Sequence, residues 1–207
     1  MRLIRTDADL DEGSAWLAKH CPEMARILPR LGPLPLRLRE DGFPAILDAV
    51  ISQQISTHAA NAIAGRMAGA GLTTPDAILK SSDDDMRGAG VSSPKIKYLR
   101  AISAADIDWK GLRELDDDAV IARLVALPGI GRWTADIYLK FALGRADAFA
   151  SGDLALAEAA RILFDLPERP KPAVLLSLAE RWRPWRAVAA RALWAYYRHE
   201  KGREGVR

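Results

Sequence analysis

Apolar residues along this chain recur at three- and four-residue spacings almost from end to end, the period of helices that bury one face. Val, Ile and Thr do not gather into alternating runs, so the pattern predicts no strand. Helices are expected at residues 7–20, 22–30, 43–69, 75–80, 83–89, 94–105, 116–126, 131–143, 153–163, 171–181 and 184–199. Pro22, Pro44, Pro75, Pro94, Pro172 and Pro184 each fall near an expected helix start, where a missing N–H does no harm. Residues 31–39, LGPLPLRLR, are too proline-punctuated for a helix and read as an extended connector. Asp83, Asp84 and Asp85, and again Asp116, Asp117 and Asp118, look like acidic first turns that suit the helix dipole. The longest uncharged stretch, residues 49–65, carries two Gln, an Asn, a His, two Ser and a Thr, so no membrane span is expected. The N-terminal MRLIRTDADLDEGS has no apolar run of the kind a secretory leader needs.

Composition narrows the class. A chain of 207 residues fits one compact domain or two small lobes. Its 49% hydrophobic and 28% charged residues exclude a disordered or collagen-like chain. Cys21 is the one cysteine, which excludes an internal disulfide framework, a four-cysteine zinc site and a four-cysteine iron–sulfur cluster. His20, His58 and His199 are scattered, which argues against a histidine cage. A single thiol suits a reducing cytosol, so a cytoplasmic protein is expected. The net charge of +3 is unevenly spread. From residue 181 onward there are eight basic residues (Arg181, Arg183, Arg186, Arg191, Arg198, Lys201, Arg203 and Arg207) against Glu200 and Glu204, interleaved with Trp182, Trp185 and Trp194. That +6 segment is either a nucleic-acid contact or the solvated face of a terminal helix.

The most informative stretch is residues 120–143, VIARLVALPGIGRWTADIYLKFAL. An apolar helix ends near Ala126, and Leu127-Pro128-Gly129-Ile130-Gly131 turns the chain into a second helix. Two glycines one residue apart permit a tight turn and leave backbone N–H groups open at a helix N-terminus, which is an anion site. A plain corner between two helices would use the same residues.

With L-P-G-I-G-R-W-T-A between two apolar helices, the sequence resembles the helix–hairpin–helix (HhH-GPD) DNA glycosylase superfamily. Residues 51–56, ISQQIS, match that family's wedge-loop segment. Residues 87–100, RGAGVSSPKIKYLR, match its following helix start, and residues 179–194, AERWRPWRAVAARALW, resemble the C-terminal helix pair of the 3-methyladenine DNA glycosylase II branch. The resemblance covers roughly residues 40–200. It implies an all-α, two-lobed fold with no added N-terminal β-domain. One lobe would be residues 1–41 with 145–207, and the other a helical barrel of residues 42–144 holding the hairpin, with the active-site cleft between them.

The family's essential carboxylate falls on Asp153, twenty residues past Trp133 in FASGDLAL. Cleaving an N-glycosidic bond builds positive charge on the sugar, which a carboxylate stabilises while it orients or deprotonates water. From spacing alone Asp153 reads equally well as the N-cap of the next helix, and one group can do both. Asp136 is the nearest alternative carboxylate. Members that also cut the backbone carry a lysine just after the hairpin Gly-Arg, where its amine forms a Schiff base. Here Trp133 stands there, which implies a monofunctional hydrolase. Lys140, two turns on, reads as a solvated or phosphate-facing lysine.

The resemblance makes Trp133, Ile137 and Trp194 the walls of a pocket for the flipped base, where indole rings attract a cationic alkylpurine. Core packing is the other reading of both tryptophans. Trp194 lies about half a turn round its helix from the apolar stripe Trp185, Val188, Ala189, Ala192 and Tyr196. A tyrosine often found in this branch is Ile137 here, which leaves the pocket's shape and substrate range open. Gln54, or else Gln53, occupies the place of the residue that fills the gap in the duplex; both also read as amides that satisfy backbone groups. The N–H groups of Gly129 and Gly131, with Arg132 and Thr134, are the expected phosphate contacts. The resemblance also implies a Na or K ion at the carbonyls of Val125, Leu127 and Ile130, with no other cofactor required. The expected activity is removal of alkylated purines from double-stranded DNA by a monomer with no membrane contact. A non-catalytic helix–hairpin–helix DNA-binding module, or a glycosylase for deaminated or oxidised bases, are the alternatives.

Overall fold

In a computed structural model, residues 1–202 are described; Arg203, Glu204 and Arg207 of the basic segment lie outside them. Among the described residues there is no strand, and only an isolated antiparallel bridge joins Leu3 to Arg145. The helices are α1 (Asp7–His20), α2 (Pro22–Leu31), α3 (Phe43–Ser52), α4 (Thr57–Gly69), α5 (Pro75–Lys80), α6 (Asp83–Gly88), α7 (Ser93–Ala104), α8 (Asp117–Val125), α9 (Arg132–Phe141), α10 (Leu154–Leu163), α11 (Pro172–Ala179) and α12 (Arg186–Lys201). Short 3-10 turns occupy Gly111–Arg113 and Glu180–Trp182. None of the helices is long and apolar enough to cross a membrane.

Local chemistry sets most boundaries. Thr6 and Ser82 open α1 and α6 with capping boxes closed by Asp9 and Asp85. Ser56, Thr74 and Asp116 cap α4, α5 and α8 by accepting a backbone N–H. Proline occupies the first turn of α2, α3, α5, α7 and α11. Pro184 departs from that expectation, since α12 begins two residues later at Arg186. Residues 32–41 form no helix, as LGPLPLRLR predicts.

The chain divides into two compact units, Met1–Leu38 with Leu139–Arg207, and Arg39–Tyr138. The second division falls inside α9, between Tyr138 and Leu139, ahead of the 144/145 boundary expected from sequence. In the first unit α12 contacts α1, α2 and α10. Every residue from 187 to 196 of α12 is buried, so the helix has no solvent face there, and the half-apolar stripe expected from sequence does not describe it. Gly13 of α1 leaves room for the start of α12: a Cβ there would lie 2.6 Å from Val188 Cγ2 and 2.8 Å from Trp185 Cε3.

In the second unit α7 contacts α3, α5 and α6, and α3 contacts α4. The core holds Ile46, Val50, Met67, Ile78, Met86, Leu99, Leu112, Val120 and Leu124. One expected element is corrected here. Residues 43–69 are not a single helix; α3 stops at Ser52 and α4 starts at Thr57. Gln53 leaves the helix with ψ 129, and Gln54 follows in a left-handed conformation at φ +58. Lys95 takes the carbonyls of Ile51 and Gln53, and Ser56 then caps the next helix by accepting from the Ala59 N–H.

Candidate active site

The hairpin lies in the Arg39–Tyr138 unit, apart from the last three residues of α9, Leu139, Lys140 and Phe141. The Leu127 N–H donates to the Leu124 carbonyl at 3.0 Å and the Ile130 N–H to the Leu127 carbonyl at 3.2 Å, which folds the turn tightly. The two glycines have different reasons to be there. Gly129 has φ +79, and a Cβ on it would lie 2.5 Å from the Tyr98 ring. A side chain at Gly131 would meet nothing within 4 Å, and its backbone needs no left-handed conformation. Gly129 is therefore required by the fold, whereas Gly131 leaves open space at the first turn of α9. Gly129→Ala is expected to lower the melting temperature by the equivalent of about 1–3 kcal/mol. Gly131→Ala should stay within about 0.5 kcal/mol in the same thermal scan. Equal shifts would contradict this division of labour.

Trp133 emerges in the first turn of α9 and stays 38% exposed, unusually open for a tryptophan. Ile137, one turn on, is buried. Arg132 is exposed and pairs with the buried Asp136 at 3.0 Å, which commits Asp136 to the hairpin helix. Thr134, expected with Arg132 at the phosphate, is buried.

The two glutamines separate clearly. Gln53 folds back and donates from Nε2 to the Gly129 carbonyl at 2.8 Å. Gln54 is exposed at the apex of the α3–α4 loop with its left-handed backbone. Of the pair, Gln54 is the one presented outward. Lys95 Nζ lies 2.6 Å from the Ile51 carbonyl and 2.9 Å from that of Gln53, and burial pushes the ammonium's pKa down. Sequence reasoning gave no role to Lys95 or Tyr98. Their signal is long-range, since each acts on a segment more than 25 residues away in the chain.

Asp153 lies in the other unit, at the N-cap of α10. Its Oδ1 accepts the N–H of Ala155 at 2.8 Å and of Leu156 at 3.0 Å. Two backbone donors at the helix N-terminus hold the carboxylate in one orientation. It is 5% exposed. The N-cap reading of this residue thus holds.

Trp194 is 4% exposed, and its ring stacks on Phe141 with centroids 5.8 Å apart. Lys140, expected as a solvated or phosphate-facing lysine, is fully buried, with Nζ 4.2 Å from the Trp194 ring centroid and 5.9 Å from that of Phe149. The indole π surface is therefore already engaged by a cation and a ring. The apolar partner that Trp194 needs is Phe141, and the stem of Lys140 is buried with it.

The basic C-terminal segment is also corrected. Arg191 is buried and donates to the carbonyls of Pro35 (3.3 Å), Leu36 (3.0 Å) and Ala187 (3.0 Å). Its guanidinium lies 4.9 Å from the Phe141 ring centroid, and burial pushes its pKa down to about 10. Arg186 pairs with Asp147 at 2.9 Å and Glu180 at 2.8 Å, Arg183 with Glu180 at 3.0 Å, and Lys201 with Glu158 at 3.2 Å. Much of the +6 thus serves internal bonding and ion pairs. No group of three or more His, Cys, Asp or Glu side chains among the described residues is arranged to hold a metal.

Comparison with known proteins adds to this geometry. Residues 47–184 match the family described as HhH-GPD superfamily base excision DNA repair protein. The chain is 33% identical over 165 residues to DNA-3-methyladenine glycosylase 1 of Schizosaccharomyces pombe, covering 75% of this chain and 72% of that one. It is 34% identical over 164 residues to a probable bifunctional transcriptional activator/DNA repair enzyme AlkA of Mycobacterium tuberculosis; the match covers 73% of this chain and spans only 32% of that longer protein. Its fold superposes with TM-score 0.78 and 30% identity on the S. pombe 3-methyladenine DNA glycosylase solved in complex with abasic DNA, covering 92% of this chain and 97% of that one. An all-helical chain with this hairpin, this capped aspartate and a family match over two-thirds of its length belongs to the HhH-GPD superfamily of base excision DNA repair proteins.

Proposed function

We propose that this protein is a monofunctional DNA glycosylase that hydrolyses the N-glycosidic bond of alkylated purines, of the 3-methyladenine and 7-methylguanine type, in duplex DNA. The observation that carries the reading is Asp153, a buried carboxylate fixed by two backbone N–H groups at the start of α10. Relatives 33% and 34% identical to this chain over the aligned residues are named for 3-methyladenine excision or DNA repair.

The chemistry follows from the leaving group. An alkylated purine already carries positive charge, so the C1′–N bond breaks with its electron pair going to the base and needs no strong general acid. The sugar is left cationic, and the Asp153 carboxylate stabilises it. Water adds at C1′ and gives its proton to the same carboxylate. Trp133 occupies the position where a lyase would carry its lysine, so no Schiff base forms and the strand stays intact. Being exposed, Trp133 is also the aromatic surface on which a flipped base stacks, beside Ile137. Trp194, engaged by Phe141 and Lys140, supports the Asp153 unit from within.

DNA is gripped at phosphate by the N–H groups of Gly129 and Gly131 and by the exposed Arg132. The neutral carbonyls of Val125, Leu127 and Ile130 would hold a Na or K ion, which would add positive charge to the hairpin for an anionic phosphate; the Leu127 oxygen keeps a lone pair beyond its bond to Ile130. Gln54, exposed at the loop apex, fills the space the flipped base leaves. A panel of duplexes, each with one alkylated, deaminated or oxidised base, tests the substrate class. Release confined to the alkylated purines supports it; preference for deaminated or oxidised bases would redirect it, and no release from any would leave a DNA-binding module.

A further inference from the structure

We propose that Lys95 is a positioning residue for base extrusion, locking the Gln54 loop to the hairpin so that the two engage DNA in fixed register. The inference rests on the glycosylase reading above and assigns a function to a residue that touches neither base nor sugar.

Four observations converge on it. The ammonium of Lys95 donates to two carbonyls, Ile51 and Gln53, at the end of α3, where helical partners run out. A cation at a helix C-terminus is favoured by the dipole as well as by the bonds. Gln53, whose carbonyl Lys95 holds, spends its own side chain on the Gly129 carbonyl of the hairpin. One turn along α7, the Tyr98 ring fills the space a Cβ on Gly129 would need. Lys95 and Tyr98 thus stand on one face of α7, one against the wedge loop and the other against the hairpin. All of these residues belong to one compact unit, so the brace is internal to it.

The strained part of this assembly is Gln54, at φ +58 without being glycine. Left-handed backbone at such a residue persists only where its surroundings hold it. The residue immediately before it is tied twice, by its carbonyl to Lys95 and by its amide to the hairpin. Lys95 is half-buried, and its ammonium donates to two main-chain carbonyls. Its bonds go to main chain alone, as expected of a clamp rather than of a surface ion pair.

The test uses Lys95→Met, which keeps the stem and removes the donors, and Gln53→Met as a second break in the same chain of bonds. Single-turnover release of 7-methylguanine is measured from an ordinary duplex and from a duplex in which the lesion is a single-nucleotide bulge, already unpaired. Loss of hydrogen bonds from a charged donor predicts roughly a tenfold or greater fall on the paired lesion for Lys95→Met. Release from the bulge should change by less than about twofold, because no paired base has to be displaced. Lys95→Arg, which keeps donors, should recover part of the loss. Hydrogen exchange provides a readout independent of activity: amides of residues 54–56 should exchange faster in Lys95→Met while those of α8 and α10 are unchanged. Equal losses on both substrates, or no loss on either with unaltered exchange, would overturn the proposal. A wild type that releases base from neither duplex, with the exchange effect present, would instead overturn the glycosylase reading and leave Lys95 as a loop clamp alone.

Discussion

Asp153→Asn is expected to bind DNA as the wild type does and to release base on the order of 10²–10³ times more slowly. The change is nearly isosteric, and asparagine caps helices as well as aspartate does, so α10 keeps its bonds to the Ala155 and Leu156 N–H groups. Melting should therefore shift by less than about 1 kcal/mol. On the proposed mechanism, what disappears is the negative charge facing the sugar as it becomes cationic, together with the acceptor for the proton of the attacking water. Single-turnover base release, gel-shift affinity and a thermal scan on the same preparation separate these effects. Near-normal release by Asp153→Asn would remove the carboxylate from the mechanism. A matching loss of DNA affinity would make it a binding group instead.

The largest expected effect on stability is at Arg191. Arg191→Met keeps the aliphatic stem over Phe141 but removes donors from the carbonyls of Pro35, Leu36 and Ala187. Loss of a buried charged donor from part-buried main-chain acceptors predicts a loss of about 2–4 kcal/mol. For a chain of this size that lowers the melting temperature by roughly 5–15 °C. The same change at Arg198, nearer the end of α12, should stay within about 0.5 kcal/mol. Similar small shifts at both positions would show that Arg191 does not secure the proline-rich connector to α12.

These two residues also mark where sequence reasoning succeeds and where it stops. Helix positions were legible because their signals are local: the Thr6 and Ser82 caps, the prolines in first turns, and the acidic starts of α6 and α8 act within a few residues. The N-cap place of Asp153 was legible for the same reason, since a cap acts on the first turn it precedes. The break at residues 53–56 was not. ISQQIS contains neither glycine nor proline, and what opens it is Lys95, 42 residues from the Gln53 carbonyl it binds. Arg191 counted as surface charge because its carbonyl partners lie 155 and 156 residues away. Lys140 misled in the same way; its burial against Trp194 and Phe149 depends on chain that returns only after the hairpin. In each case a charged side chain satisfied by distant main chain or rings looks, in sequence, like a solvated one.

Product analysis of the wild type on one substrate tests the central claim most directly. A duplex carrying a single 7-methylguanine is incubated with the protein, and both the small-molecule and strand fractions are analysed by mass. The account predicts free 7-methylguanine in equal amount to an intact strand bearing one abasic site, with breakage only after alkali. An unchanged duplex, or a strand already cut at the lesion without alkali, would contradict it.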